Sequence, residues 1–316
     1  MVVRGATPER LQWLQEAAPG VQIVGANTAA QAVALAGTAD AIMGFCSADL
    51  VAAAPRLRWI QASAAGVENC VSIPALRERG ILLTNMQKIA GPVMAEHVVA
   101  LTFAFARELP FYLREQGEGR WSDATSDSAG GAFRLQGRTM FIAGLGGIGM
   151  EVAQRAHALG MRVTATRASK QAAPPFVERV GTPEDLVPLI READIVVNTL
   201  PLTASTRAMF DAGLFAAMKP GAYFINVGRG GTVVTDDLVQ ALRSGQLAGA
   251  GLDVTDPEPL PAGHALWKMP NVIITPHVAA DTGGDVEDRW LLFRENLRRY
   301  TAGGKMLSVV DVARGY

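Results

Sequence analysis

Two cysteines among 316 residues are too few to staple a secreted scaffold, and neither Cys46 nor Cys70 stands in a metal-binding spacing. Both read as packing thiols. Histidine is as scarce, with four in the chain, and no His/Cys/Asp/Glu grouping has ligand spacing, so no metal site is expected. A charge excess is missing too. The 29 Lys+Arg and 30 Asp+Glu leave a formal charge of -1, and the basic residues are dispersed, which argues against nucleic acid or anionic lipid as a partner. No run approaches the ~18 apolar residues that a membrane helix needs, and the first residues carry no basic stretch leading into an apolar core. The expectation is a water-soluble, cytoplasmic chain with no membrane partner. Its length implies about two domains.

What is present is a repeated change of hydrophobic period, the mark of alternating strands and helices. In the first hundred residues, short apolar runs at 21–24, 41–43, 57–62 and 81–84 suit strands buried on both faces. A long apolar helix is expected to open near Pro92 and stop at Pro110. The polar stretch 117–131 reads as a surface loop. Beyond it come six candidate strands at 139–143, 162–166, 194–199, 222–227, 251–254 and 272–275. A charged helix at 285–300 and an extended stretch at 307–310 then return to the first domain. The fold class is therefore α/β with two doubly wound parallel sheets. One domain takes 1–102 and 285–316, the other 103–284, with hinges near 103 and 284.

Gly144, Gly146 and Gly149 stand directly after the apolar strand at 139–143, and helical spacing follows through Val152 and Ala156. Strand, glycine turn and helix are in the order that binds a dinucleotide. Glycine lets the turn close and the pyrophosphate approach the main chain, and Leu145, Gly147 and Ile148 complete the loop around it. At the end of the next strand, where a carboxylate would bind the ribose hydroxyls of NAD, this chain has Arg167, with Ser169 and Lys170 close behind. Two cations and a hydroxyl suit a 2'-phosphate. NADP (as NADPH) is the expected cofactor, with NAD possible.

Three polar residues follow later strands: Arg229, Glu258 and His277, at ends where open α/β sheets place ligands. Hydride transfer from such a cofactor to a carbonyl needs a proton donor at the oxygen, and an anionic substrate needs a cation. His277 can donate a proton, and the planar fork of Arg229 can clamp a carboxylate.

The chain resembles the D-isomer-specific 2-hydroxyacid dehydrogenase family. The resemblance rests on the glycine motif, on the stretch from Met218 through Arg229, on the segments ending in Glu258-Pro and Pro-His277, and on Ala95-Glu96-His97. The last residues, from Val310, resemble the glyoxylate/hydroxypyruvate reductase branch. The family likeness implies a Rossmann cofactor domain, a flavodoxin-like substrate domain and a cleft between them. It implies Arg229, Glu258 and His277 as catalytic residues reducing 2-keto acids to D-2-hydroxy acids. It also sets Leu200, Pro201, Thr206, Val227, Gly228, Asp253 and Ala279 beside the cofactor, and the main chain of Ala65, Gly66 and Val67 against the substrate. Trp290 is either a substrate contact or an aromatic anchor for its helix. His97, within the apolar helix, reads as a packing residue. A homodimer is expected from the likeness. Alternatives within the family are phosphoglycerate, formate or phosphite oxidation; formate enzymes carry glutamine where Glu258 stands. A non-enzymatic, corepressor-like nucleotide sensor is the alternative outside catalysis.

Overall fold

A computed structural model describes residues 1–122, 131–169, 172–281 and 285–315. Its contacts divide the chain into two units, Met1–Ala90 with Thr282–Tyr316, and Gly91–Asp281.

The smaller unit is built on β1 (Val2–Arg4), β2 (Val24–Ala26), β3 (Ala41–Met43), β4 (Trp59–Gln61) and β5 (Leu82–Thr84). They lie in the order β2-β1-β3-β4-β5, all parallel. This is the flavodoxin-like order, with its switch point between β1 and β3. Alternate residues face opposite sides. Ile42 and Ile60 join one apolar cluster, while Ala41, Met43 and Trp59 join the other with Phe293 and Leu297 of the helix Asp285–Thr301. Thr7, Thr28 and Ser47 each accept a backbone N–H at the start of the following helix, satisfying a donor that the helix leaves open. The last segment returns to this unit, where Val310 N donates to Leu83 O at 2.9 Å.

Two expectations change here. No strand is expected before residue 21, yet β1 is central, its three residues being too short to show alternation. The cysteines are bonded to each other rather than separate packing thiols: Cys46 pairs with Cys70, Cα atoms 5.6 Å apart. The loop after β3 and the helix Glu68–Val71 bring them together, a closeness that a separation of 24 positions hides.

The larger unit contains β6 (Thr139–Ala143), β7 (Arg162–Thr166), β8 (Arg179–Gly181), β9 (Ile195–Asn198), β10 (Ala222–Asn226), β11 (Leu247–Leu252) and β12 (Val272–Ile274). Their order is β12-β11-β10-β9-β6-β7-β8, again all parallel. Relative to the six expected strands, β8 is additional. The order reverses between β6 and β9, so ligand loops belong at the carboxyl ends of those strands. The amino ends are clamped by Asp194, whose carboxylate accepts from Thr139 N at 2.8 Å and from Lys219 Nζ at 2.6 Å.

The apolar helix runs Gln87–Ala106, with Pro92 inside it rather than at its start. Its window Ile89–Ala106 is long and apolar enough to cross a membrane by length and composition, contrary to the expectation of no such run. Its buried face explains the apolarity. Leu101 and Phe105 lie against Gly251, and Phe105 stacks on Tyr223 at 5.1 Å. Those contacts put most of the helix in the larger unit and move the division from 102/103 to 90/91. A second helix, Leu109–Gly117, follows with Pro110 in its first turn; most of the stretch read as a loop lies outside the described residues.

Candidate active site

β6 ends at Ala143 and is followed by Gly144, whose φ of +98° favours glycine, and the chain turns into the helix Gly147–Ala158. A Cβ on Gly149 would overlap the carbonyl oxygen of Gly144, so helix and turn meet at main-chain distance. Thr199 fixes the turn from β9, donating its hydroxyl to Gly144 O at 2.7 Å. Gly228 approaches Leu200 in the same manner: its Cβ would stand 2.7 Å from Leu200 O. Gly144, Leu200 and Gly228 therefore gather at the switch point. The bare glycines form the cradle that a dinucleotide's phosphates require. Leu145 is buried, Gly146 is exposed at the head of the helix, and Gly147 and Ile148 open its first turn.

Arg167 directly follows β7, half-buried, with its amide donating to Gly181 O at 3.0 Å. Ser169 is half-buried two residues on, and Lys170 lies outside the described residues. No acidic residue occupies 167–169.

Thr206 closes the loop after Pro201 by donating its hydroxyl to Pro201 O at 2.6 Å. Val227 is buried and donates its amide to Asn198 O. Arg229 follows, half-buried, with Nη1 donating to Gly228 O at 2.7 Å. Its own carbonyl accepts from the Thr232 hydroxyl at 2.6 Å and from Asn226 Nδ2 at 3.3 Å. The buried Asn198 completes this network, donating to Asn226 Oδ1 and to the Thr232 hydroxyl. The turn carrying Arg229 packs so closely on Thr255 that Gly230 has no room for a Cβ, which sets it beside the segment leading to Glu258.

His277 Nδ1 lies 2.6 Å from Glu258 Oε1. An ionised carboxylate only accepts, which puts a proton on Nδ1 and leaves Nε2 for chemistry. His277 has φ +57°, unusual for a residue with a Cβ, and the turn is held from below by Asp253. That buried carboxylate accepts from Val278 N at 2.9 Å, Ala279 N at 3.0 Å and the Thr275 hydroxyl at 2.7 Å. The carbonyl of Asp253 also accepts from His277 N at 2.8 Å. His97 Nε2 bonds Thr275 Oγ1 at 3.1 Å, which adds the apolar helix to the support.

In the smaller unit, Ala65 and Gly66 are half-buried and Val67 is buried. Asn85 Nδ2 donates to Ala65 O at 2.7 Å, and Met86 N to Ala64 O at 3.1 Å. Trp290 packs edge-on against Phe293 with the Arg10 guanidinium 5.2 Å from its ring. It does not line the cavity beside Ala64 and Gly66.

Sequence reasoning passed over Asn198, Thr199, Asn226 and Thr232. A polar residue ending a run buried on both faces was the available signal, since Asn198 and Asn226 terminate β9 and β10. Among the described residues no group of three His/Cys/Asp/Glu could hold a metal ion.

A doubly wound sheet, a glycine cradle at its switch point and a carboxylate-braced histidine define a dinucleotide-dependent oxidoreductase. Residues 99–279 match the model of the D-isomer specific 2-hydroxyacid dehydrogenase, NAD binding domain. The chain belongs to that family. It is 35% identical over 260 residues to glyoxylate/hydroxypyruvate reductase B of Salmonella typhi, covering 81% of this chain and 78% of that one. The family's structure from Xanthobacter autotrophicus Py2, in complex with NADPH and MES, superposes with a TM-score of 0.83 at 29% identity, covering 100% and 99% of the two chains. An NADPH-dependent glyoxylate/hydroxypyruvate reductase from Sinorhizobium meliloti, in complex with NADP and sulfate, gives 0.81 at 28%, covering 100% and 99%. The protein is an NAD(P)-dependent D-2-hydroxyacid dehydrogenase.

Proposed function

We propose that this dehydrogenase works as a reductase of small 2-keto acids, glyoxylate and hydroxypyruvate first among them, and draws on NADPH. The observation that carries the reading is the 2.6 Å contact between His277 Nδ1 and Glu258 Oε1. The nicotinamide supplies the hydride when bound. His277 gives the proton on Nε2 to the carbonyl oxygen as negative charge develops there, and Glu258 stabilises the imidazolium before that transfer. In the oxidative direction neutral Nε2 takes the hydroxyl proton. Arg229 holds the substrate carboxylate through its fork, Asp253 keeps the His277 turn in position, and the Ala65 to Val67 main chain is a further candidate for binding substrate. Trp290 contributes packing in this reading rather than a substrate contact.

The NADPH preference rests on Arg167 and Ser169 at the end of β7, on the absence of a carboxylate there, and on the cofactors named for the two structural relatives. Leu200, Pro201, Thr206, Val227, Gly228 and Ala279 border the same cofactor. Apolar Leu113 and fully exposed Trp121 favour a homodimer, which light scattering would test. The compartment we propose is the cytoplasm.

The test is a keto-acid panel with each cofactor. Glyoxylate and hydroxypyruvate should be reduced, with kcat/KM about tenfold or more higher for NADPH than for NADH, and Arg167→Asp should remove most of that ratio. An equal or NADH-favouring ratio refutes the cofactor assignment. Binding of dinucleotide without turnover of any keto acid would make the protein a sensor instead.

A further inference from the structure

The carboxylate beneath the His277 turn has no lysine or arginine to balance it. Asp253 follows β11 and is buried, and it accepts from Val278 N, Ala279 N and the Thr275 hydroxyl. Among the described residues neither lysine nor arginine forms an ion pair with it. The basic group beside it is His97, whose Nε2 stands 3.9 Å from Asp253 Oδ1.

The direction of the hydrogen bonds follows from counting protons. The Thr275 hydroxyl has one hydrogen, and Asp253 Oδ1 takes it at 2.7 Å. The 3.1 Å contact between the same hydroxyl oxygen and His97 Nε2 must then run the other way, with the imidazole N–H donating and the hydroxyl accepting. That puts a proton on Nε2 of His97. A bare Nε2 would offer the hydroxyl a second acceptor, and Asp253 would lose its third donor whenever the hydroxyl turned away. The helix sets His97 in place. Leu101, one turn on and on the same face, packs against Gly251 of β11, so His97 lies over the end of that strand.

The route from His97 to the chemistry is short. The two amides that Asp253 holds belong to the residues directly after His277, and His277 N donates to Asp253 O. His277 keeps its φ of +57° while the turn stays closed on Asp253.

We propose that His97 is a positioning residue for the proton transfer: its Nε2–H makes the Thr275 hydroxyl an acceptor, turns the hydroxyl's hydrogen to Asp253, and so holds the turn that presents His277. The proposal rests on His277 as the proton donor, and every group in it belongs to the larger unit. Packing by itself would ask only for shape at residue 97; this role asks for an N–H.

Two substitutions separate shape from donor. His97→Gln can return an amide N–H to the place of Nε2, whereas His97→Leu fills a similar space without one. In hydrogen–deuterium exchange read by mass spectrometry, a peptide covering 275–281 should exchange about fivefold faster in His97→Leu, with His97→Gln within about twofold of the unaltered protein. For glyoxylate reduction with NADPH, kcat should fall about fivefold in His97→Leu while KM moves less than about twofold, and His97→Gln should recover about half of kcat or more. Adding His97→Leu to Thr275→Val should cost nothing beyond Thr275→Val, because His97 acts through that hydroxyl. Long-range proton–nitrogen NMR of the histidine rings, with His97 identified by its loss in His97→Gln, should show a proton on Nε2. Leu and Gln variants that behave alike in exchange or in kcat, losses that add in the double variant, or a ring with its proton on Nδ1 alone would each overturn the proposal. The ring proton is read in the unaltered protein and decides the matter if His97→Leu does not fold. If no keto acid is reduced, the keto-acid reading fails by itself, and exchange and the ring proton still judge His97.

Discussion

Both sheets are parallel, doubly wound and open at a switch point, yet they hold their ligand loops by different means. In the larger unit the loops meet main chain to main chain, with Gly149 against Gly144, Gly228 against Leu200 and Gly230 against Thr255. In the smaller unit the Ala64 to Val67 loop is held by one main-chain bond, from Met86 N to Ala64 O, and by a chain of side chains. Asn85 holds Ala65, Gln61 Nε2 donates to Asn85 O at 3.2 Å, and Asn296 Nδ2 donates to Gln61 Oε1 at 2.9 Å. The contrast separates two kinds of precision. Close glycine contacts admit no added atom, whereas a polar chain tolerates any replacement that keeps its donors and acceptors.

The chemistry falls to the larger unit, so the largest expected effect lies there. Replacing His277 by Asn keeps a polar side chain in the turn but removes the proton donor, and kcat for glyoxylate reduction should fall by about 10²- to 10⁴-fold. Stopped-flow reduction with NADPH would measure it. A loss below about tenfold would move the proton transfer to another group. Gly149→Val probes the glycine contacts directly. The added side chain must displace the Gly144 carbonyl, and the NADPH dissociation constant should rise by about 100-fold, read by nucleotide fluorescence. If nucleotide binds unchanged, the cradle is elsewhere.

The smaller unit should respond in stability. Gln61→Leu leaves the Thr84 hydroxyl and the Asn296 amide without their shared acceptor in a fully buried site. A cost of about 2–4 kcal/mol follows. Urea unfolding followed by the fluorescence of Trp59, which donates to Thr84 at 2.8 Å, would show it. A loss below about 0.5 kcal/mol would mean that the polar chain holds nothing.

The same contrast explains what could be read before any coordinates. The glycine cradle is local: Gly144, Gly146 and Gly149 lie within six positions, and their order with strand and helix is visible in the chain. Arg229, Glu258 and His277 could be put forward as a site because each follows an apolar run that had to be a strand, and because the surrounding segments resemble a known family. Gln61 and Asn296, in contrast, are 235 positions apart, and nothing in either neighbourhood names the other. The Cys46–Cys70 pairing was hidden for the same reason, since its two partners are 24 positions apart. Pro92 misled in the opposite direction, because burial against the larger sheet carries the helix through it.

The smallest effect tests the amino ends of the strands, opposite the glycine loops. Asp194 ties the starts of β6 and β9 to Lys219 and Arg138, and burial by itself would raise its carboxyl above the usual range. Lys219, the Thr139 amide and Arg138 outweigh burial, so the group titrates below its ordinary value when folded. Its charged form therefore stabilises the fold above the unfolded-state titration near pH 4, and this contribution is lost as pH falls through the lowered folded value. Asp194→Asn should cost about 1–2 kcal/mol at neutral pH, since the amide still accepts one bond but offers no charge to Lys219. On acidification the unaltered protein should lose stability toward the variant's curve, so the gap between their urea midpoints narrows below about pH 4. A gap constant from pH 7 to pH 3 would show that shape, not charge, is what Asp194 supplies. The amino ends would then be held as the glycine loops are, by close fit.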